Sequence, residues 1–155
     1  MRKPVLIFRN IVNYLHTMSK KIGNLWIIDD DPMSSFYIKR LAELGELANI
    51  ITIYDKARGA VDYLLHHKKT VAHLPDVILL DIYMPEMDGW AFLSEYAAIK
   101  EQLVKKIDVY IISSSNHPRD VNRAETICEV KDYLVKPVTL AVMKKIVLGV
   151  SLSAQ

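Results

Sequence analysis

The sequence predicts an α/β fold with a single domain, in which a doubly wound sheet of five parallel strands lies between two layers of helices. Two observations support this. Short apolar runs alternate with longer segments of helical periodicity. Several of the runs lack the alternation of polar and apolar residues that is typical of a strand with one solvent-exposed face, so they need cover on both faces. The predicted strands also begin near residues 25, 49, 77, 108 and 132, and the intervals of 24, 28, 31 and 24 residues each fit one strand–helix crossover.

The apolar runs and the segments between them define the individual elements. The runs that predict strands cover residues 25–28, 49–54, 77–80, 109–112 and 133–135. In the first segment between them, Phe36, Leu41 and Leu44 recur at helical intervals. Asp31 precedes Pro32, and this pair places a capping carboxylate before a proline at the first helical position. The predicted helices cover residues 32–44, 56–68, 89–105, 118–130 and 139–152.

This pattern predicts a domain over residues 22–152, an N-terminal extension over 1–21 and a tail over 153–155. We expect the extension either to form a short amphipathic helix or to lie upstream of the natural start. One helical face of it would carry Phe8, Ile11, Leu15 and Met18.

The composition is that of a compact globular protein. Of the 155 residues, 51% are hydrophobic and 25% are charged, which excludes disordered and fibrous classes. The net charge of +2 is too small to indicate a nucleic-acid or anionic-membrane surface. No apolar run approaches the roughly 20 residues of a membrane helix, and the segments outside the predicted domain are too short for a DNA-binding domain.

The single cysteine, Cys128, cannot form an internal disulfide. A reducing compartment fits this usage, so we expect a cytoplasmic protein. Cys128 is predicted to be a small buried residue of the fourth helix.

Polar side chains follow four of the predicted strands. They are the acids 29–31, Asp81, the serines 113–115 and Lys136. Because ligands of open parallel sheets bind at the carboxyl ends of the strands, we expect these side chains to converge. Like charges repel, and a hard divalent cation with oxygen ligands relieves that repulsion, so Mg²⁺ is the natural candidate. Asp31 fits better as a helix cap than as a ligand.

The stretch D-I-Y-M-P-E-M-D-G after the third strand, from Asp81 to Gly89, resembles the receiver domains of two-component response regulators. The resemblance extends over about residues 22–152 and includes the acid pair after the first strand, the hydroxyl after the fourth and Lys136-Pro137 after the fifth. It implies the flavodoxin-like fold of a stand-alone receiver. It also implies a partner, a histidine kinase or a histidine phosphotransfer protein, whose phosphohistidine donates a phosphoryl group to Asp81.

The resemblance assigns roles to the other residues of this edge. Mg²⁺ would be held by Asp30, Asp81 and the backbone carbonyl of Tyr83, with Asp29 acting through water. Lys136 would pair with Asp81 and then with the phosphoryl oxygens, and its bond to Pro137 is expected to be cis. The residues that respond to phosphorylation would be Ser113 and Tyr133.

Two other functions compete with this interpretation. One is an aspartyl-nucleophile phosphatase or hydrolase of the haloacid-dehalogenase type, but that family has a second Asp two residues after the nucleophile, where this chain has Tyr83. The other is a pseudo-receiver that acts without phosphorylation, which the complete set of acids, serine and lysine argues against. No glycine-rich nucleotide-binding motif occurs.

The fifth predicted helix suggests an output surface. Its apolar residues spread around more of the circumference than one core-facing stripe needs, so we expect some to be exposed. By resemblance, the face formed by the fourth helix, fifth strand and fifth helix would bind a partner or, after phosphorylation, a second copy of the chain. We expect no enzymatic activity beyond the chain's own phosphorylation and dephosphorylation.

Overall fold

The structure is a computed structural model that describes residues 20–149. Within this span, parallel strands and helices alternate, which confirms the predicted fold class. The strands are β1 (Ile22–Ile28), β2 (Ala48–Tyr54), β3 (Val77–Asp81), β4 (Asp108–Ser113) and β5 (Val130–Val135). The helices are α1 (Pro32–Leu44), α2 (Ala57–His67), α3 (Gly89–Ile99), α4 (Pro118–Glu125) and α5 (Leu140–Leu148). The amphipathic segment predicted near the N-terminus lies outside the described residues.

The sheet order is β2-β1-β3-β4-β5, with every neighbouring pair parallel. The chain leaves β1 for β2 at one edge and then crosses back to β3 on the other side of β1. The connections from β1 and β3 therefore diverge, and such a reversal opens a crevice at the carboxyl ends of the two strands. The two strands end at Ile28 and Asp81, so this crevice lies beside the acidic residues that the sequence singles out.

Both faces of the sheet are covered, because successive side chains of a strand point to opposite sides. Trp26 and Ile28 of β1 pack in a core with residues of α2, α3 and α4. Leu25 and Ile27 pack on the other face with residues of α1 and α5. The central strands β1, β3 and β4 are almost wholly buried, which explains their continuous apolar sequences. No helix among residues 20–149 is long and apolar enough to cross a bilayer.

The edge strand β2 is less covered than its apolar sequence predicts. Ile50 and Ile53 are 54% and 40% exposed, because β2 has a neighbouring strand on one side only.

Helices α3 and α4 both end earlier than predicted. Helix α3 ends at Ile99 and continues as a 3₁₀ turn to Gln102. Helix α4 ends at Glu125, because the Thr126 hydroxyl donates to the Arg123 carbonyl and caps the last turn. The burial predicted for Cys128 is wrong: the residue lies beyond the helix and is exposed, while the nearby Ile127 packs against the core.

Helix α5 exposes less apolar surface than its sequence predicts. Met143, Ile146 and Val147 are buried, and the remaining large apolar side chains of the helix, Leu140, Val142 and Leu148, are half-buried. The helix ends before residue 152, because Gly149 adopts the left-handed conformation with φ of 64° that terminates helices.

Candidate functional site

Three carboxylates meet at the carboxyl edge of β1 and β3. Asp29 is 1% exposed and Asp81 is 7% exposed, whereas Asp30 is turned toward solvent. Each residue offers one oxygen, and the three oxygens lie within 4.8 Å of one another. The convergence expected from the strand ends is therefore present. Asp31, the next residue, instead accepts a hydrogen bond from the Met33 N–H at 2.9 Å and caps α1, as predicted.

Lys136 is the cation that faces this cluster. Its Nζ lies 2.8 Å from Asp29 Oδ2 and 2.9 Å from Asp81 Oδ2, and its side chain is 14% exposed. The lysine directly follows β5, where its backbone N–H donates to the Ser113 carbonyl at 2.8 Å. The peptide bond from Lys136 to Pro137 is cis, as expected.

The electrostatics of the cluster favour a further cation. Burial raises the pKa of Asp81 above its usual value, although hydrogen bonds from the Tyr83 N–H and Lys136 partly oppose this. Burial alone would lower the pKa of Lys136, but its bonds to Asp29 and Asp81 outweigh that effect and raise it. Among residues 20–149, one ammonium against three carboxylates leaves two negative charges when all are ionised. Oxygen donors with this excess charge suit a hard divalent ion such as Mg²⁺.

Asp29 already has partners for both oxygens. Its Oδ1 accepts the Asp31 N–H at 3.0 Å, and its Oδ2 accepts the Ser34 hydroxyl at 2.6 Å in addition to Lys136. A carboxylate with these bonds is better placed to support the site than to react. The contribution of Ser34 was not foreseen, since a serine in the first turn of a helix carries no signal of a partner outside that helix.

The loop after β3 fixes the orientation of the Asp81 carboxylate. The Tyr83 N–H donates to Asp81 Oδ1 at 3.0 Å. Gly89, at the start of α3, packs so closely that a Cβ there would lie 2.4 Å from the Asp81 carbonyl oxygen. The side chains of Met84 and Met87 are buried in the core and so anchor this loop against the sheet.

Ser113 and Tyr133 contact the same residue. Ser113 is fully buried, and its Oγ accepts the Ser115 N–H at 3.1 Å. The Tyr133 hydroxyl donates to the Ser115 carbonyl at 2.8 Å. The two side chains proposed from the sequence to respond to phosphorylation are thus joined through one backbone segment after β4.

Asp120 in the first turn of α4 is a site residue that sequence reasoning missed. Its Oδ2 accepts the Tyr83 hydroxyl at 2.6 Å and the Ser115 hydroxyl at 2.7 Å. These two bonds lower the pKa of Asp120, and the bond to Asp120 raises the pKa of Tyr83. In the sequence, an acid at this position indicates only a favourable interaction with the helix N-terminus.

The chain is similar to a known protein family and to several curated relatives over most of its length. The family model of the response regulator receiver domain matches residues 25–148. The chain is 30% identical over 122 residues to the probable methanogenesis regulatory protein FilR2 of Methanothrix harundinacea, covering 78% of this chain and 76% of the relative. It is 32% identical over 120 residues to the probable C4-dicarboxylate response regulator DctR of Halalkalibacterium halodurans, covering 76% of this chain but 46% of that protein.

Solved structures show the same fold. A two-component response regulator from Cytophaga hutchinsonii superimposes with a TM-score of 0.74 and 26% identity, covering 84% of this chain and 99% of that one. The CheX–CheY–BeF₃–Mg²⁺ complex from Borrelia burgdorferi matches with a TM-score of 0.65 and 25% identity, covering 83% of this chain and 90% of the matched chain.

Proposed function

The chain belongs to the response regulator receiver domain family and is a phosphorylation-dependent signalling switch, and we propose that Asp81 is the residue that accepts the phosphoryl group. The observation that carries this proposal is the setting of its carboxylate. One oxygen is oriented by the Tyr83 N–H and the other by Lys136, at a site that is buried but not sealed. Both oxygens of Asp29 already accept other hydrogen bonds, and Asp30 is exposed to solvent, so Asp81 is better oriented to react than either of them.

Phosphoryl transfer to Asp81 requires mainly positioning and neutralisation of charge. An oxygen of the Asp81 carboxylate attacks the phosphorus of a phosphohistidine on a histidine kinase or histidine phosphotransfer protein. The phosphorus–nitrogen bond breaks, and the histidine ring keeps its electron pair and takes up a proton. The product is an acyl phosphate, whose added oxygens then accept hydrogen bonds from Lys136.

The same edge has the donors for Mg²⁺. The carboxylates of Asp30 and Asp81 and the backbone carbonyl of Tyr83 would hold the ion, and Asp29 would support it through water. When bound, Mg²⁺ supplies positive charge that offsets the negative charge of the transferring oxygens. The excess of carboxylates over ammonium groups supports this assignment.

Ser113 and Tyr133 would convert phosphorylation into a change of surface. Ser113 turns toward the phosphoryl group, which leaves space for the Tyr133 ring to move inward. The surface affected is the groove formed by α4, β5 and α5, where Val121, Val135 and Val142 lie beside Tyr133. We assign binding of a downstream protein, or of a second copy of the chain, to this groove.

The phosphatase alternative has no support in the site. The position two residues after Asp81 is Tyr83, whose hydroxyl is bonded to Asp120 and is a poor general acid. We therefore propose that the chain catalyses only its own phosphorylation and dephosphorylation. The exposed thiol of Cys128 suits the reducing conditions of the cytoplasm.

Hydrogen exchange with beryllofluoride and Mg²⁺ as a phosphoryl mimic tests this proposal. We expect changed protection in residues 118–148 of the wild type and none in Asp81→Asn, which keeps the side-chain volume but lacks the attacking carboxylate. In Ser113→Ala the mimic should still bind, but the change in protection should be reduced. Binding of the mimic to the wild type without any change in that region would refute the proposed output surface.

A further inference from the structure

One carboxylate outside the acidic cluster joins the two loops that flank Asp81. Asp120 is 8% exposed, and its Oδ2 accepts hydrogen bonds from the hydroxyls of Tyr83, at 2.6 Å, and Ser115, at 2.7 Å. Tyr83 belongs to the loop after β3 and Ser115 to the loop after β4. Asp120 therefore connects α4 with both loops through a single oxygen.

Each of its partners is also bonded to a central residue of the site. The Tyr83 N–H donates to Asp81, and the Ser115 N–H donates to the Ser113 hydroxyl. The Ser115 hydroxyl in turn accepts the His117 N–H at 3.2 Å, so the loop after β4 has several internal bonds. A movement of Ser113 toward Asp81 has to break its bond to Ser115 or carry Ser115 along.

Asp120 is suited to hold these bonds as a charged group. Both of its hydrogen bonds are charge-assisted, because each hydroxyl donates to a carboxylate oxygen. Hydrogen bonds to an ionised acceptor contribute more than bonds between neutral groups. Two charge-assisted hydrogen bonds therefore stabilise the resting arrangement of the loops.

On the basis of the proposed function, we propose that Asp120 is a positioning residue that opposes activation: its bonds to Tyr83 and Ser115 hold the loops after β3 and β4 in the unphosphorylated arrangement, and Ser113 reaches a phosphoryl group on Asp81 only when they break. The strength of this contact sets how far the resting state is favoured over the active one. A ligand that binds the active arrangement loses affinity in proportion to that preference.

Calorimetric titration with beryllofluoride at saturating Mg²⁺ measures this preference. We expect Tyr83→Phe and Ser115→Ala each to bind the mimic about fivefold more tightly than the wild type, since each removes one bond from the resting state. Asp120→Ala removes both bonds and should bind the mimic at least about tenfold more tightly than the wild type. The affinity of Asp120→Asn, whose amide oxygen still accepts hydrogen bonds, should lie between that of Asp120→Ala and that of the wild type. Tyr37→Phe, on the exposed side of α1, is the matched control and should leave affinity unchanged.

The affinity for Mg²⁺ alone separates this role from general structural support. It should stay within about twofold of the wild type in Ser115→Ala, Asp120→Ala and Asp120→Asn, because none of these residues is a proposed magnesium ligand. The inference is overturned if the wild type binds the mimic but Tyr83→Phe and Asp120→Ala bind it no more tightly. It is also overturned if affinities for Mg²⁺ and for the mimic fall together. Failure of the wild type itself to bind the mimic would instead refute the assignment of Asp81.

Discussion

Replacement of Lys136 by methionine tests the electrostatic balance of the site. Methionine keeps much of the side-chain length but removes the ammonium that lies 2.8 Å from Asp29 and 2.9 Å from Asp81. Both carboxylates are buried, so water cannot fully replace the lost donor. We expect the variant to fold but to be clearly destabilised in the absence of Mg²⁺.

The magnitude follows from the two lost bonds. Each hydrogen bond to a charged group contributes about 1.5–3 kcal/mol, and breaking a buried ion pair from one side costs about 3–5 kcal/mol. Lys136 is still partly reached by water and Asp81 can take up a proton, so we expect the lower end, about 3 kcal/mol. For a domain of this size, that corresponds to a fall in Tm of about 10–15 °C.

The loss of stability in Lys136→Met should be larger at high pH than at low pH. Lys136 holds down a pKa of Asp81 that burial has already raised, so its removal raises that pKa further. Above about pH 4 the unfolded chain loses this proton, while the folded variant keeps it until the pH passes the raised pKa. The free energy of unfolding therefore decreases as the pH rises through this window. The deficit relative to the wild type should be smaller at pH 5 than at pH 8.

Thermal unfolding in EDTA, followed by circular dichroism at pH 5 and pH 8, measures both effects. The matched control is Lys56→Met, which removes an ion pair with Glu86 whose side chains are 62% and 67% exposed, and which should barely change Tm. The reasoning is refuted if Lys136→Met loses no more stability than this control, or if its deficit is larger at pH 5 than at pH 8.

Two further substitutions test the metal ligands and the backbone around the acceptor. Asp30→Asn should weaken Mg²⁺ binding at least about tenfold in a tryptophan fluorescence titration, because it removes one of two carboxylate ligands. The control Asp31→Asn, at the helix cap, should leave Mg²⁺ affinity unchanged. Equal Mg²⁺ affinities of the two variants would contradict the ligand assignment. Gly89→Ala should lower Tm by several degrees, since its Cβ would meet the Asp81 carbonyl oxygen at 2.4 Å. The control Gly59→Ala, whose Cβ would have its nearest neighbour at 3.6 Å, should not lower Tm. Similar Tm values for the two variants would show that the loop relaxes.

Most of the fold follows from local sequence patterns. Continuous apolar runs identified the central strands because β1, β3 and β4 are covered on both faces. The apolar run of β2 predicts more burial than the structure shows, since the sequence alone does not show which strand lies at an edge. Helix ends were less predictable, as in α4, where a side-chain bond from Thr126 stops the helix before Cys128.

The site was predictable where its residues follow strands, and it was not where the contacts join distant side chains. Asp29, Asp81 and Lys136 could be brought together because parallel strands align their carboxyl ends at one edge. The contact of Tyr83 with Asp120 spans 37 positions and belongs to no strand pairing, so no local pattern reveals it.

Location of the phosphoryl group tests the central claim most directly. The protein is incubated with Mg²⁺ and a small phosphodonor, the acyl phosphate is trapped by borohydride reduction, and the modified residue is identified by mass spectrometry. We predict one modification per chain, at Asp81, and none in Asp81→Asn. Uptake by Asp81→Asn at the wild-type rate, or a modification at any other residue of the wild type, would contradict the account.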